Sequence, residues 1–474
     1  MNPTVTAADE ASRRASLRVV LIAAAAALGG FLFGFDTAVI NGAVDALRHA
    51  FGLSAGWTGF AVSCALLGSA LGAWYAGRLA DRFGRVRTMQ VAAALLAAGA
   101  VGAGLAGSVA WLIAWRVVGG IGVGVASVVA PAYIAEVSPA WIRGRLGSMQ
   151  QLAIVLGIFV ALLSNAWLAN SAGGAGQALW FGLDAWRWMF VVGVVPAVIY
   201  GGLALAVPES PRHLVAQGRT ADALLVLRKV LALDNEPALH QKLFDIENSL
   251  HREHKPAWRD LLGGGAGLLP VVWIGILLSM FQQFVGINVI FYYSTTLWHS
   301  VGFSESNSFA ITVATSVVNV LVTLVAIALV DRIGRKPLLL VGSAGMTVTL
   351  AMMAWCFAEA SGSGAALSLP APWGPVALVA ANLYVVFFGV SWGPVVWVLL
   401  GEMFPNRIRA MALAVAAAAQ WLANFAITSS FPAMAEFSLP FSYGVYAAFA
   451  AISLVFVWRW VRETRGVELE DMPG

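Results

Sequence analysis

GRLADRFGR (residues 77–85) returns further along the chain as ALVDRIGR (328–335), with Asp81 answered by Asp331 and Arg85 by Arg335. A second pair follows in the same order. EVSPAWIR (136–143) is matched by EMFPNRIR (402–409): in each, a Glu is followed by Pro three residues later and by Ile-Arg at six and seven. Each copy follows an apolar run, so the repeated unit is a set of apolar helices. Two matched pairs in one order imply an internal duplication, and duplicated halves with a site between them are a transporter architecture.

The composition agrees. Apolar residues make up 60% of 474, charged residues only 11%, and the mean hydropathy is +0.81. Soluble domains carry about 25% charged residues. A bilayer-crossing helix needs about 20 apolar residues. Twelve runs qualify: 17–43, 58–77, 88–107, 110–134, 147–169, 186–206, 270–298, 308–330, 337–358, 375–401, 410–432 and 441–461. The predicted fold is an all-α polytopic membrane protein with twelve transmembrane helices in two six-helix halves. The predicted units are residues 1–206, a cytoplasmic linker over 207–269, and 270–474. Within the linker, ADALLVLRKVLAL (221–233) and PALHQKLFDIENSL (237–250) read as short surface helices, and Pro237 suits a first helical turn.

Lys and Arg set the orientation. Of the 28, 25 fall in the N-tail, the even-numbered loops or the C-tail; the exceptions are Arg48, Arg116 and Arg187. The positive-inside rule places those segments and both termini in the cytoplasm. The basic residues line one membrane face, so the formal charge of +4 gives no case for nucleic acid. Arg13, Arg14 and Arg18 before an apolar run mimic a signal peptide, but the run is too long for a cleaved segment. Cys64 and Cys356 both fall in predicted spans and offer no disulfide framework or metal spacing. The six His sit at span ends or in polar loops, and no nucleophile–base or metal constellation points to an enzyme. No cofactor is expected.

The repeated loops carry acids as well as bases. Asp81, Arg82, Arg85, Glu136 and Arg143 are predicted to clasp span ends in the first half, and Asp331, Arg335, Glu402 and Arg409 in the second. Solvated topology signals would explain the Arg residues but not acids at equivalent positions twice.

One acid lies elsewhere. GFLFGFDTAVING (30–42) places Asp36 inside span 1. An ionised Asp at the centre of a spanning helix costs roughly 2.5–3.5 kcal/mol, so such a residue reads as functional. The basic residue buried well inside a span is Arg116, in AWRVVGGIG. At 1.5 Å rise per residue, Arg116 lies ~9 Å inside the outer end of span 4 and Asp36 ~10 Å inside the outer end of span 1. Burial favours the neutral acid and a guanidinium favours the carboxylate, so a pair can act as a proton switch. The other reading is a static pair orienting spans 1 and 4.

A hydroxylated substrate asks for amides, which donate and accept, and for aromatic planes. QQFVGIN (282–288) supplies Gln282, Gln283 and Asn288 in span 7, with Gly286 placed to break the helix between them. Tyr292 and Tyr293 follow toward the outer end. Asn319, Trp397, Gln420, Trp421 and Asn424 lie in later spans and Gln151 in span 5. Amides also glue membrane helices, at about 0.6 kcal/mol each. Gly119, Gly120, Gly122 and Gly124 of span 4 face Gly68 and Gly72 of span 2 as a close-approach surface, suited to sliding or to plain packing.

On GRLADRFGR, RVVGGIGVGVASVVAPAYIAEVSP (116–139), PESPR (208–212), QQFVGIN, DRIGRKP (331–337) and VRETRG (461–466), the chain resembles the sugar porter family of the major facilitator superfamily. Its FLFGFDTAVING, WGPVVWVLLGEMFPN (392–406) and AAQWLANF (418–425) are most similar to the bacterial D-xylose:proton symporters of that family. The ending departs from the usual Pro-Glu-Thr-Lys-Gly. The resemblance implies the major facilitator fold and a monosaccharide substrate. In symporting members the Asp matching Asp36 is the proton site and the Arg matching Arg116 its partner; some members with this Asp are facilitators. Gln151, Gln282, Gln283, Asn288, Asn319, Trp397, Gln420 and Trp421 match sugar contacts, and Tyr292, with Tyr293 beside it, a gating aromatic. Two departures bear on coupling and substrate. The xylose symporters carry a second buried acid where this chain has Gly193, and another Gln where it has Ile158. D-Glucose and D-xylose both stay open.

The expectation is a monomeric proton-coupled importer of a monosaccharide in the bacterial inner membrane. A proton-independent facilitator is the alternative within transport. A non-transporting sugar sensor is the alternative of another class, disfavoured by the short stretch after Arg465. Partners are the sugar, the proton and the lipid bilayer.

Overall fold

The computed structural model describes residues 3–138, 143–231, 236–252, 258–263, 267–361, 368–405 and 408–464. Twelve helices or helix pairs among them are long and apolar enough to cross a membrane, and they fall at the predicted positions. Six precede the polar segment 207–269 and six follow it. The linker forms helices Pro211–Ala216, Thr220–Leu231 and Glu236–Arg252. The first of these was not anticipated. Its Ser210 N-cap accepts from His213 N, with Pro211 at the first turn.

The span ends follow one local rule on each face. Spans 2, 4, 8 and 12 each begin after a serine, and Ser54, Ser108, Ser304 and Ser438 accept from Trp57, Trp111, Asn307 and Phe441 backbone N–H groups. These caps satisfy amide donors that a helix start leaves unpaired. On the opposite face, spans 3 and 9 start after Gly84 and Gly334, at φ +91° and +104°.

Four spans are interrupted. Span 1 passes from α-helix into a 3-10 turn at Ile40–Ala43 and resumes as Val44–Phe51, which extends it past the predicted end at residue 43. Span 6 is two helices meeting at Gly193. Span 7 breaks between Pro270–Phe284 and Ile287–Ser300, with Gly286 at φ +84°. A Cβ there would lie 2.7 Å from the Tyr446 ring, so both backbone and space require glycine. Span 10 breaks at Ser391, between Trp373–Val390 and Trp392–Met403. A small hairpin, Ala178–Trp180 with Leu183–Asp184, precedes span 6 and carries no periodic signal in the sequence.

Spans 2 and 4 pack backbone against backbone. A Cβ on Gly120 would fall 2.0 Å from the Ala65 carbonyl oxygen. Gly68, Gly72, Gly120 and Gly124 form this close approach of spans 2 and 4, whereas Gly119 and Gly122 pack on Gly99, Ala92 and Leu96 of span 3. Cys64 and Cys356 are buried free thiols.

Among the described residues, the hydrogen bonds and ion pairs joining spans 1–6 to spans 7–12 lie toward the odd-numbered loops. Asn41 Nδ2 donates to Phe291 O at 2.9 Å, and Thr295 donates to Asn41. Arg48 pairs with Glu436, His299 Nδ1 lies 3.6 Å from Asp45, and Ala175 N donates to Glu305 at 2.8 Å. The molecule is shut on that face.

Candidate functional site

Asp36 and Arg116 meet. Arg116 Nη1 lies 3.5 Å from Asp36 Oδ2 and 3.5 Å from the Asp36 carbonyl oxygen. Nη2 donates to Val62 O of span 2 at 3.3 Å, and Nε has no partner. The guanidinium lies 5.7 Å from the Phe190 ring centroid. One cation thus ties span 4 to spans 1, 2 and 6. Its side chain is 2% exposed, whereas that of Asp36 is 24% exposed. The asymmetry leaves the acid, not the base, reachable. Both line a small pocket walled by spans 1, 3, 4 and 6, with Gly99, Gly119 and Gly193 in its walls. Gly193, one of the two departures noted in the sequence, therefore lines the pocket that holds Asp36.

The span 7 amides form a chain. Asn288 Nδ2 donates to Gln283 Oε1 at 2.5 Å, and Gln283 Nε2 donates to Gln282 Oε1 at 3.2 Å. Gln420 Nε2 of span 11 donates to the same Gln282 oxygen at 2.7 Å. Gln282 Nε2 donates across to the span 10 break, to Trp392 O at 2.8 Å and Gly393 O at 3.3 Å. The break at Gly286 lets Asn288 turn back toward Gln283, five residues earlier, a spacing that does not share one face of an unbroken helix. Gln420 Oε1 is buried with no partner, an acceptor open to a hydroxyl.

The remaining amides and aromatics stand apart from that chain. Asn319 sits by Gly389, next to the span 10 break: a Cβ on that glycine would be 3.6 Å from Asn319 Oδ1. Trp421 meets Phe33 of span 1 at 5.5 Å between centroids. Trp397 is 44% exposed. Gln151 is half-buried on span 5, with no described hydrogen bond to the amide chain. Its neighbour Gln150, not singled out from the sequence, buries an unpartnered Oε1. Ile158 is buried where span 5 packs on Gly34 of span 1. Tyr292 and Tyr293 are fully buried on the shut face, and Tyr293 donates to Thr428 O of span 11 at 2.8 Å. Asn424 accepts from Thr428 rather than joining Gln420.

The clasps exist with a changed cast. Arg85 holds Glu136 through two bonds of 2.9 and 2.8 Å, and Arg335 holds Glu402 through two of 3.1 and 2.7 Å. Such bidentate pairs are the stronger kind. Asp81 reaches Arg85 at 3.4 Å but stays largely exposed. Arg82 lies over the Phe83 ring and joins no ion pair among the described residues. Arg409 donates to Phe404 O instead of pairing with an acid. The side chains of Arg143 and Asp331 lie outside the described residues.

Two acids absent from the expected set complete each clasp. Glu209 accepts from Arg85 N at 2.9 Å and Val86 N at 3.3 Å; Glu463 accepts from Arg335 N at 3.0 Å and Lys336 N at 2.9 Å. Each carboxylate caps the positive end of a helix. A Cβ on Gly84 would fall 2.2 Å from Glu209 Oε2, and on Gly334 2.8 Å from Glu463 Oε2, which explains both glycines. Pro-Glu-Ser at 208–210 and Arg-Glu-Thr at 462–464 are thus a third repeat.

His213 breaks the symmetry. Its Nδ1 lies 3.3 Å from Arg85 Nη1, and it is 8% exposed. Burial holds the imidazole below its ordinary value of 6.5, with Arg85 acting in the same direction and Glu209, Glu136 and Asp81 opposing. A folded value below the unfolded one means that the fold favours the neutral ring, so stability is lost as pH falls below about 6.5. Thermal stability in detergent should decline between about pH 7 and 5. His213→Gln should flatten that part of the profile, measured as the unfolding midpoint against pH.

With the geometry in hand, a family model described as "Sugar (and other) transporter" matches residues 22–474. The chain belongs to the sugar (and other) transporter family. Membership makes it a transporter-family protein rather than an enzyme. It is 57% identical to the "Glucose transport protein" of Synechocystis sp., over 96% of this chain and 97% of that one. It is 38% identical to the "D-xylose-proton symporter" of Escherichia coli (strain K12), over 94% and 93%. Its fold matches the xylose transporter XylE from E. coli in a partially occluded inward-open conformation. The TM-score is 0.81 at 37% identity, covering 95% of this chain and 99% of that one. This family's fold is the twelve-helix major facilitator arrangement read from the repeat.

Proposed function

We propose that this chain is a proton-coupled monosaccharide importer of the bacterial cytoplasmic membrane, working by alternating access between its first and last six spans. Both termini are cytoplasmic in this reading, so the shut face is external and the structure faces inward. Asp36 is the proton site and Arg116 its partner. The chain Asn288–Gln283–Gln282–Gln420 is the core of the sugar site, with Gln151, Asn319, Trp397 and Trp421 bordering it and Tyr292 and Tyr293 at the closed outer gate.

The observation that carries this reading is a partly buried acid on a fully buried cation. Arg116 is anchored on Asp36 and on Val62 O. A proton arriving at Asp36 removes the charge that holds spans 1 and 4 together there. The guanidinium keeps Val62 O of span 2 and the Asp36 carbonyl oxygen of span 1 but loses its charge partner, so protonation weakens the tie between spans 1 and 4. The substrate is D-glucose or D-xylose: the names of two similar relatives point to glucose and to D-xylose, and Ile158 offers no hydrogen bond to distinguish them.

A facilitator is the second reading, and Gly193 favours it. The pocket holds one acid where the xylose symporters have two. Concentrative uptake separates the readings. Proteoliposomes with an imposed inward proton gradient should accumulate labelled D-glucose or D-xylose above the external concentration, and a protonophore should abolish the excess. A facilitator would only equalise the two sides.

A further inference from the structure

The breaks in spans 7 and 10 are tied to each other twice, in opposite directions. Gln282, before the span 7 break, donates to Trp392 O and Gly393 O at the span 10 break, at 2.8 and 3.3 Å. Tyr384, before the span 10 break, donates its hydroxyl to Val285 O at the span 7 break, at 2.7 Å. Each broken helix thus donates a side chain to backbone carbonyls at the other's break: Val285 O at the end of the first half of span 7, and Trp392 O and Gly393 O at the start of the second half of span 10. The carbonyls that a helix end leaves unpaired, such as Val285 O, need partners inside a membrane protein. Tyr384 is fully buried, in span 10, and belongs to none of the amide or acid clusters.

The tie continues outward from the break. Trp392 donates its indole N–H to Ser343 Oγ of span 9 at 2.9 Å, and Ser343 lies 2.9 Å from Ser453 Oγ of span 12. The segment after the span 10 break is therefore held by span 7 and by span 9, whose Ser343 is in turn tied to span 12. At the other end, Gln282 has no spare hydrogen-bonding capacity. Its two N–H donors go to span 10, and its oxygen accepts from Gln283 and Gln420 at 3.2 and 2.7 Å. An amide has two donors and two acceptor lone pairs. A hydroxyl that binds Gln282 has to displace one of these partners.

We infer that Tyr384 is a positioning residue that makes the two breaks move as one, and that a sugar engaging Gln282 releases the span 10 side of this latch. The second clause rests on the sugar site proposed above; the first does not. Both sites then share one bistable element, which is what coupling between substrate and helix motion requires.

Hydrogen exchange read by mass spectrometry on purified full-length protein tests both clauses. Without sugar, Tyr384→Phe should speed exchange roughly threefold or more in segments covering both breaks, 283–289 and 389–395, the scale of one lost hydrogen bond. Span 2 should be unchanged, which guards against general unfolding. If only one of the two segments responds, or neither does, the breaks are independent and the latch is wrong.

With saturating D-glucose or D-xylose, the wild type should show altered exchange at both breaks. Tyr384→Phe should bind the sugar within about twofold of wild-type affinity, as one hydrogen bond outside the contact set requires. In the variant the sugar response should persist at both breaks, because the Gln282 bonds to Trp392 O and Gly393 O that the sugar displaces do not involve Tyr384. A response confined to span 7, in the wild type or in the variant, overturns the release step. If neither sugar binds the wild type, the sugar-site reading fails, while the sugar-free arm still decides the latch.

Discussion

Asp36→Asn should reduce sugar accumulation against a gradient to simple equilibration while sugar exchange across the membrane continues. Asn keeps the size and hydrogen-bonding oxygen of the side chain but cannot bind or release a proton near neutral pH. It imitates the protonated acid, the form in which Arg116 has lost its charge partner. Exchange of labelled for unlabelled sugar needs only that the loaded carrier reorients, so it should stay within roughly threefold of wild type, the scale of one altered hydrogen bond. Removing the acid leaves Arg116 buried with only neutral partners, the residue 36 and Val62 carbonyl oxygens and the Phe190 ring, and with Nε unpartnered. An uncompensated buried charge is costly, so some loss of stability accompanies the variant. Accumulation and exchange measured on the same reconstituted protein check the prediction. Loss of both activities together would mean that Asp36 serves the fold rather than coupling.

Gln283→Ala should weaken D-glucose or D-xylose binding at least tenfold, read by titration of the purified protein. Gln283 is 5% exposed and sits in the middle of the amide chain. It accepts from Asn288 and donates to Gln282. Truncation deletes one amide contact and unbinds two neighbours that present the rest. A tenfold loss corresponds to about 1.4 kcal/mol, one to two net hydrogen bonds. Unchanged affinity would remove span 7 from the sugar site.

Much of this was legible because helices in a bilayer obey few rules. Length and apolarity placed the spans, and 1.5 Å per residue brought Asp36 and Arg116 to matching depths. Gly286 announced the span 7 break because few other residues tolerate φ +84°. What stayed hidden was long-range or made by backbone groups. Glu209 caps a helix start more than a hundred residues earlier, and nothing local in PESPR says which amide it will meet. The third repeat, at 208–210 and 462–464, uses its acid to cap a helix start, and its composition does not set it apart from the other charged loops. Asp81 sits in the repeated motif yet stays exposed, while the acid that holds the Arg85 backbone comes from another segment. Tyr384 gave no signal, since its partner is a carbonyl that becomes available only when span 7 breaks. The 3-10 turn in span 1 does carry an Asn41-Gly42 turn signal, but that signal lies inside an apolar run long enough to read as one unbroken helix. Its Asn41 is spent on closing the outer face, a bond to span 7 that only the assembled molecule reveals.

The central claim is that Asp36 exchanges its guanidinium partner for a proton each time a sugar crosses. The most direct measurement is the external pH of a weakly buffered suspension of de-energised proteoliposomes when sugar is added. This account predicts immediate alkalinisation with D-glucose or D-xylose that is absent from Asp36→Asn vesicles. Sugar entry in the wild type with no change in external pH would contradict it.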